Sequence, residues 1–474
     1  MKHFIVLEYS DCFSDNPREI SYYLQGISRH NLLQICIMFI SRTNETVYKY
    51  LSTYFSEKNK EYINKLWASL QKNRTDIENC VITNIESSLR FYEYVFDKID
   101  TDKTTIPETE VEINVLKVYL LFNSQINSGD NTASESTKHI KEGRAKAMLL
   151  AQAFQYFDIT NYRYIQELYV QTAKAIRLYN FLSSNEKTQL LYQIYLEYYN
   201  CSDWQDLMRY MTSFSYIYLE AKNQQTFVNL KVDPSDEEYD KKCKFIEKLV
   251  IDTNIEDMDF RVLRSHPIYR KEKGDYYIIY VYFLLELIYK GVYFKLKELN
   301  NKLSNEQQIK GFRSFYCDYF SEQTLLYNSL KDIFGNKYIQ MPGNYIKETF
   351  RINAEPDYYI RNGNKVFLFE SKDILISSES KISNDYKIIS KELKKKLYYE
   401  ESKKGIDNKA VLQLLNNAQK LLNKTAEWDK TYKEKNIRIY PIIILHDNIY
   451  NCPGINELVN KWFKQELKKN RREI

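Results

Sequence analysis

Glycine and proline are scarce in this chain, at 11 and 8 of 474 residues. Barrels and many-stranded sandwiches need both for their turns, so long helices are favoured. Histidine is rarer still, at five residues, and no HExxH pattern occurs. The seven cysteines (Cys12, Cys36, Cys80, Cys201, Cys243, Cys317 and Cys452) are scattered, odd in number and contain no CxxC pair. That excludes a disulfide framework or a zinc ribbon and fits reduced thiols in a cytoplasmic protein. There is no GxxxxGK[ST] loop and no GxSxG elbow, so neither a P-loop ATPase nor a nucleophile-elbow hydrolase is encoded. The longest apolar run, Tyr276 to Leu285, is about half of the ~20 residues that a membrane helix takes. No membrane partner is expected.

What is present is an ordinary globular composition, 44% hydrophobic and 28% charged, with a length that suggests about three domains. The 43 tyrosines, with abundant Lys, Ile and Asn, read as the codon bias of an AT-rich genome and carry no functional weight. The net charge is only +5, but it is unevenly spread. Residues 311–474 hold 29 Lys and Arg against 21 Asp and Glu, while the rest of the chain is slightly acidic. A basic last third suits contact with phosphate, and equally a solvated charged surface.

Three segments follow from the pattern. Residues 1–230 read as a helical region, a candidate recognition or regulatory domain. Within it, Glu45 to Leu70 is amphipathic, with Val47, Tyr50, Leu51, Tyr54 and Phe55 at helical spacing. The polar stretch Asn127 to Ser136 reads as a loop or linker, and Thr137 to Phe157 as a helix. Residues 231–310 read as a small mixed α/β connecting segment with a hairpin turning at Lys273-Gly274 and a helix from Phe283 to Leu303. Residues 311–474 read helix, three strands, helix, strand, helix. The first helix, Ser321 to Phe334, ends at Gly335. A first strand is expected between Lys337–Gln340 and Lys347–Phe350, then strands Asp357–Arg361 and Lys365–Lys372, a Lys-rich helix Ile382 to Glu401, a helix Asn408 to Asn423, and a buried strand Ile437 to Leu445. The expected class is α+β overall: a mainly α-helical N-terminal region, then a C-terminal α/β domain with a mixed central sheet flanked by helices.

The chemistry concentrates in Ala354-Glu-Pro-Asp-Tyr-Tyr-Ile-Arg-Asn-Gly-Asn-Lys-Val-Phe-Leu-Phe-Glu-Ser-Lys-Asp373. Asn362-Gly363 predicts a two-residue hairpin turn, because both residues tolerate positive φ. In that register Arg361 faces Asn364 and Asp357 faces Leu368. Residues two apart on a strand share a face, so Asp357, Glu370 and Lys372 fall together. A one-residue slip would turn Asp357 away. Two carboxylates and an ammonium beside Val366 and Leu368 make sense around a hard divalent cation, which Mg²⁺ is. Such a cation acidifies water and stabilises charge at phosphorus. Lys372 would hold the attacking water or stabilise that charge. His446-Asp447 ends the last strand, and His446 reads as a satisfied or exposed histidine.

Pro356-Asp357, twelve residues, then Glu370-Ser371-Lys372 resembles the PD-(D/E)xK signature of the restriction-endonuclease-like nucleases. The bare ExK triplet recurs five times elsewhere, whereas Pro356-Asp357 is the only Pro-Asp pair. The resemblance covers residues 311–474. It implies that Asp357 and Glu370 bind Mg²⁺ (Mn²⁺ substituting), that the Ser371 carbonyl adds a ligand, and that Lys372 positions the nucleophile. It also implies a glutamate on the first core helix, matched by Glu322, and a glutamine on the helix after the motif, matched by Gln413 or, less well, Gln419. Glu322 would equally suit a helix first turn, and Gln413 a plain surface position. The implied activity is hydrolysis of DNA in bacterial restriction or anti-phage defence. With no motor in the chain, target choice falls to the helical region or a protein partner, and paired cuts call for two sites, as in a homodimer. The alternatives are an inactive nuclease fold that binds nucleic acid and a helical scaffold for a protein partner.

Overall fold

Apolar residues at helical spacing bury one side of N-terminal helices such as Ile85–Lys98, where Leu89, Tyr92 and Val95 are buried, and the longest helix, Glu108–Thr137, runs for 30 residues. The computed structural model describes residues 5–42, 45–223, 229–255, 259–403, 405–433 and 436–470. It shows a mainly helical N-terminal region followed by a C-terminal region of mixed sheet flanked by helices. The chain forms two compact units, each built from two separate stretches: residues 1–132 with 196–291, and 133–195 with 292–474.

In the first unit, Val47, Tyr50 and Leu51 are buried as their spacing predicts, on a helix Val47–Thr53, with a second helix at Lys60–Asn73. The expected hairpin exists: Ile268–Glu272 pairs with Asp275–Ile278 in a three-stranded antiparallel sheet completed by Asn229–Lys231. The helix expected from Phe283 is two, Val281–Ile288 and Lys290–Lys302, the second of which belongs to the second unit from Val292 on. The expected loop Asn127 to Ser136 is instead the end of a helix, Glu108–Thr137. Its hydroxyls explain why. Ser128, Thr132, Ser136 and Thr137 each donate to a carbonyl one turn earlier, so these turn-forming residues satisfy themselves without leaving the helix. The chain breaks afterwards, at 138–143, and the next helix is Arg144–Ala153.

The second unit is centred on a four-stranded mixed sheet. Its spatial order is Arg438–Leu445, Lys365–Lys372, Tyr358–Asn362, Ile339–Pro342. The first pair is parallel and the other two antiparallel. Lys347–Phe350 is not a strand. A helix spans Gly343–Phe350, and it buries Ile346 against Tyr359 and Val366 with Phe350 packed alongside. The edge strand Arg438–Leu445 is half-exposed rather than buried. The Lys-rich stretch forms the helices Ser378–Ile382 and Tyr386–Leu397, then a hairpin pairing Tyr399–Ser402 with Gly405–Asn408. Ile389, Leu393 and Leu397 face inward, while Lys387, Lys391 and Lys395 face solvent. Lys404 lies outside the described residues.

Helix Ala410–Leu422 covers one face of the sheet, with Leu414 and Leu421 against Val366 and Leu368. On the other face Leu326, Tyr327 and Leu330 pack on Tyr358, Ile360 and Phe369. Residues 133–195 also feed this unit: Leu150 and Phe154 share a core with Ile389, Leu393, Val411 and Trp462.

Candidate active site

The motif strand, Lys365–Lys372, is held by a turn one step later than its sequence suggests. Asn362 pairs with Lys365, so the loop is Gly363-Asn364, with Gly363 at φ +59°. Glycine first is the arrangement a tight hairpin turn favours. Relative to the expected register the pairing moves by two residues: Tyr359 faces Leu368 and Arg361 faces Val366. A shift of two leaves the alternation of faces unchanged. Glu370 and Lys372 therefore keep the face expected of them, while Asp357 immediately precedes the paired residues, which begin at Tyr358 opposite Phe369.

Their contacts follow. Lys372 Nζ donates to Glu370 Oε1 at 2.6 Å. Glu370 is 1% exposed, and its Oε2 is buried with no hydrogen-bond partner among the described residues. Asp357 Oδ2 accepts the Ser371 peptide N–H at 2.6 Å. A residue's N–H and C=O point to the same edge of an extended strand, so the Ser371 carbonyl also faces Asp357. The Ser371 side chain points to the other face and shares a hydrogen bond of 2.7 Å with His446 Nε2. Burial, relieved only in part by Asp373, pushes His446 down to about 4, so its ring is neutral. His446 is thus a satisfied histidine.

Glu322 lies on an unusual helix. Phe312–Phe315 is α, Tyr316–Leu326 is π, and Tyr327–Phe334 is α again, ending at Gly335 as expected. The Tyr327 N–H reaches back five residues to the Glu322 carbonyl, and the Tyr327 hydroxyl donates to the Glu322 carboxylate. π segments are rare and cluster at functional sites. Gln413 is partly buried on helix Ala410–Leu422, and its Oε1 is buried without a partner among the described residues. None of its hydrogen bonds joins it to the carboxylates.

The charges at the site feel one another. Burial first, then the Asp357 charge, pushes Glu370 up to about 8. The same two causes push Glu322 up to about 7. Burial raises Asp357 as well, against the pull of Lys372. Lys372 loses proton affinity through burial but gains more from Glu370 and Asp357, so it is held above its ordinary value and stays an ammonium. Among the described residues, no group of three or more His, Cys, Asp or Glu side chains forms a ready-made metal cage. Mg²⁺ does not require one, since it is commonly bound by one or two carboxylates plus waters and substrate phosphate. The donor set fits that mode: hard oxygens only, with a buried carboxylate oxygen left over.

The approach to Asp357 is tight. Gly343 N–H donates to the Asp357 carbonyl at 2.8 Å. A Cβ at position 343 would lie 2.9 Å from the Pro356 carbonyl oxygen and 3.2 Å from Asp357 Cα. Gly343→Ala is expected to destabilise by roughly 1–3 kcal/mol through overpacking. Urea unfolding of wild type and variant, run side by side, measures the loss.

No protein-family model matches the chain, nor does any curated protein or solved structure. No helix among the described residues is long and apolar enough to cross a membrane.

Proposed function

We propose that residues 311–474, within the second unit, are a Mg²⁺-dependent nuclease hydrolysing phosphodiester bonds of DNA, in a cytoplasmic protein of bacterial restriction or anti-phage defence. The observation that carries the reading is Glu370. A carboxylate 1% exposed, with one oxygen on Lys372 and the other unpartnered among the described residues, is costly to keep in a folded protein. A cation ligand removes that cost. The defence setting rests on the PD-(D/E)xK resemblance. The cytoplasmic setting rests on seven free thiols.

Asp357 and Glu370 would hold the cation, with Glu322 and the Ser371 carbonyl as further ligands. When bound, it would supply Lewis acidity, neutralising phosphate charge and acidifying water. Lys372, kept as an ammonium by its two carboxylate neighbours, acts as a donor that orients water or steadies charge on a phosphate oxygen, and not as a base. The Asp357–Ser371 bond fixes the carboxylate against the motif strand. Gln413 could present its amide to the substrate or to water.

Supercoiled plasmid incubated with the protein in Mg²⁺, Mn²⁺ or EDTA tests the reading. Nicking that needs the metal supports it. Salt-sensitive binding without cleavage would instead indicate an inactive nucleic-acid-binding fold, and neither result would leave a protein scaffold.

The site also sets a pH dependence. Glu370 and Glu322, raised to about 8 and 7, keep protons that the unfolded chain releases near pH ~4.3. The folded state then binds more protons than the unfolded one, so these groups lower stability progressively as pH rises from ~4.3 toward ~8. A cation must displace those protons. Mn²⁺ affinity, measured by titration calorimetry, is expected to rise steeply between about pH 6.5 and 8.5, with protons released to buffer. A flat profile would sink the assignment of Glu370 as a ligand.

A further inference from the structure

The motif strand has a second side. Glu370 and Lys372 point one way, while Ser371 and the residue that follows the strand, Asp373, point the other. Asp373 is gripped by the helix that carries Glu322. Arg313 Nη2 donates to Asp373 Oδ1 at 2.8 Å and to its carbonyl oxygen at 2.5 Å. Cys317 Sγ approaches the same carbonyl at 3.8 Å. Ser321 Oγ donates to Asp373 Oδ2 at 2.6 Å. These donors are four residues apart and line one side of the helix, so a single residue is bound at three successive turns.

Two covalent links make that grip matter. Ser321 is bonded directly to Glu322, and Asp373 directly to Lys372. The helix between these anchors is π over Tyr316–Leu326, a rare geometry that is frequent at functional sites. Arg313 is itself steadied, its guanidinium lying 4.8 Å from the Tyr293 ring centroid. Both Asp373 carboxylate oxygens are occupied within the protein, so Asp373 is not a spare cation ligand.

We propose that Asp373 is a positioning residue: by binding Arg313, Cys317 and Ser321 it sets Glu322 against the Glu370–Lys372 pair. The assignment rests on the nuclease reading of those three side chains. Asp373 touches neither substrate nor cation, and it acts through Glu322 and Lys372.

The test uses the full chain with Asp373→Ala, Asp373→Asn and Ser321→Ala. Steady-state cleavage of a DNA duplex in Mg²⁺ gives kcat and KM, and hydrogen exchange reports on the helix. Asp373→Ala is expected to lower kcat about a hundredfold, the scale of a catalytic group misplaced by 1 Å, with KM changed less than about twofold. Asp373→Asn keeps an acceptor for Arg313 and should restore kcat to within about tenfold of wild type. Exchange should rise across residues 313–326 and stay unchanged over strand Tyr358–Asn362. Wild-type kcat in Asp373→Ala overturns the proposal. So does a loss spread equally over kcat, KM and exchange throughout the second unit, which marks a purely structural role. Wild-type protein that cleaves nothing overturns the nuclease reading, and this assignment falls with it. An active wild type beside an unaffected Asp373→Ala overturns this assignment alone.

Discussion

Lys372→Ala is expected to lower metal-dependent cleavage by about 10²–10³, the usual cost of losing one preorganised donor to developing charge. Folding should suffer much less near neutral pH. Removing one member of a buried ion pair ordinarily costs about 3–5 kcal/mol, because the other charge is stranded. Here the stranded group has an escape. Glu370 is already pushed up to about 8 by burial and by Asp357, and without Lys372 it would rise further and take a proton. A neutral carboxyl is tolerated where a carboxylate is not. The sign of the pH effect follows. Between about pH 4.3, where the unfolded chain ionises Glu370, and pH ~8 both folded proteins keep this proton and lose stability alike, so the variant falls behind wild type only as pH rises through ~8, where wild-type Glu370 ionises and the variant's does not. Plasmid cleavage at pH 7.5 and thermal unfolding at pH 6 and 9 check both halves. A variant that still cleaves at wild-type rates removes Lys372 from the chemistry.

Asp429→Ala, which strands Arg361 of the central sheet, is expected to destabilise by roughly 3–5 kcal/mol. Arg361, on the same face as the motif residues, is bound through Nε to Asp429 Oδ2 at 2.5 Å. Tyr359 donates to that oxygen at 2.7 Å, and the Thr431 N–H and hydroxyl donate to Oδ1, each at 2.9 Å. The Arg361 and Asp429 side chains are 9% and 3% exposed. Arginine cannot shed its proton, so Arg361 has no counterpart to the escape open to Glu370. Arg361, Tyr359 and the Thr431 bonds hold Asp429 below the usual carboxylate range despite its burial. Its stabilisation is therefore complete above the ordinary aspartate value and is lost as pH falls through the lowered one. The variant's deficit in urea unfolding should be full at pH 7 and shrink toward pH 3. Replacing the pair together, Arg361→Met with Asp429→Leu, should recover much of it.

The legibility of these features tracks the distance along the chain. Asp357, Glu370 and Lys372 are readable because a single hairpin relates them, and the face assigned to Glu370 and Lys372 survives the two-residue error in register that Gly363-Asn364 introduces. Glu322 is readable only by resemblance, and its π setting and its bond from Tyr327 leave no mark in the pattern. The partners of Asp373 and Arg361 lie 52 to 70 residues away, beyond any periodicity. The segment Asn127 to Ser136 misleads for a local reason: serine and threonine favour loops in general, yet here their hydroxyls bond back along the helix. Ile346 and Phe350 show the reverse. Their spacing of four already suits the helix that forms there in place of a strand.

The two units also constrain how the protein can be made. Synthesis from the N-terminus delivers residues 133–195 well before residues 292–474, with which they share a unit, and separates them by the 196–291 stretch that completes the other. Leu150 and Phe154 must therefore wait, apolar and uncovered, until Ile389, Val411 and Trp462 have left the ribosome. Closing so long a loop is slow, and exposed apolar surface invites association in the interval. A fragment beginning at residue 311 would lack those two side chains altogether, so the region that bears the motif should be expressed only as part of the whole chain.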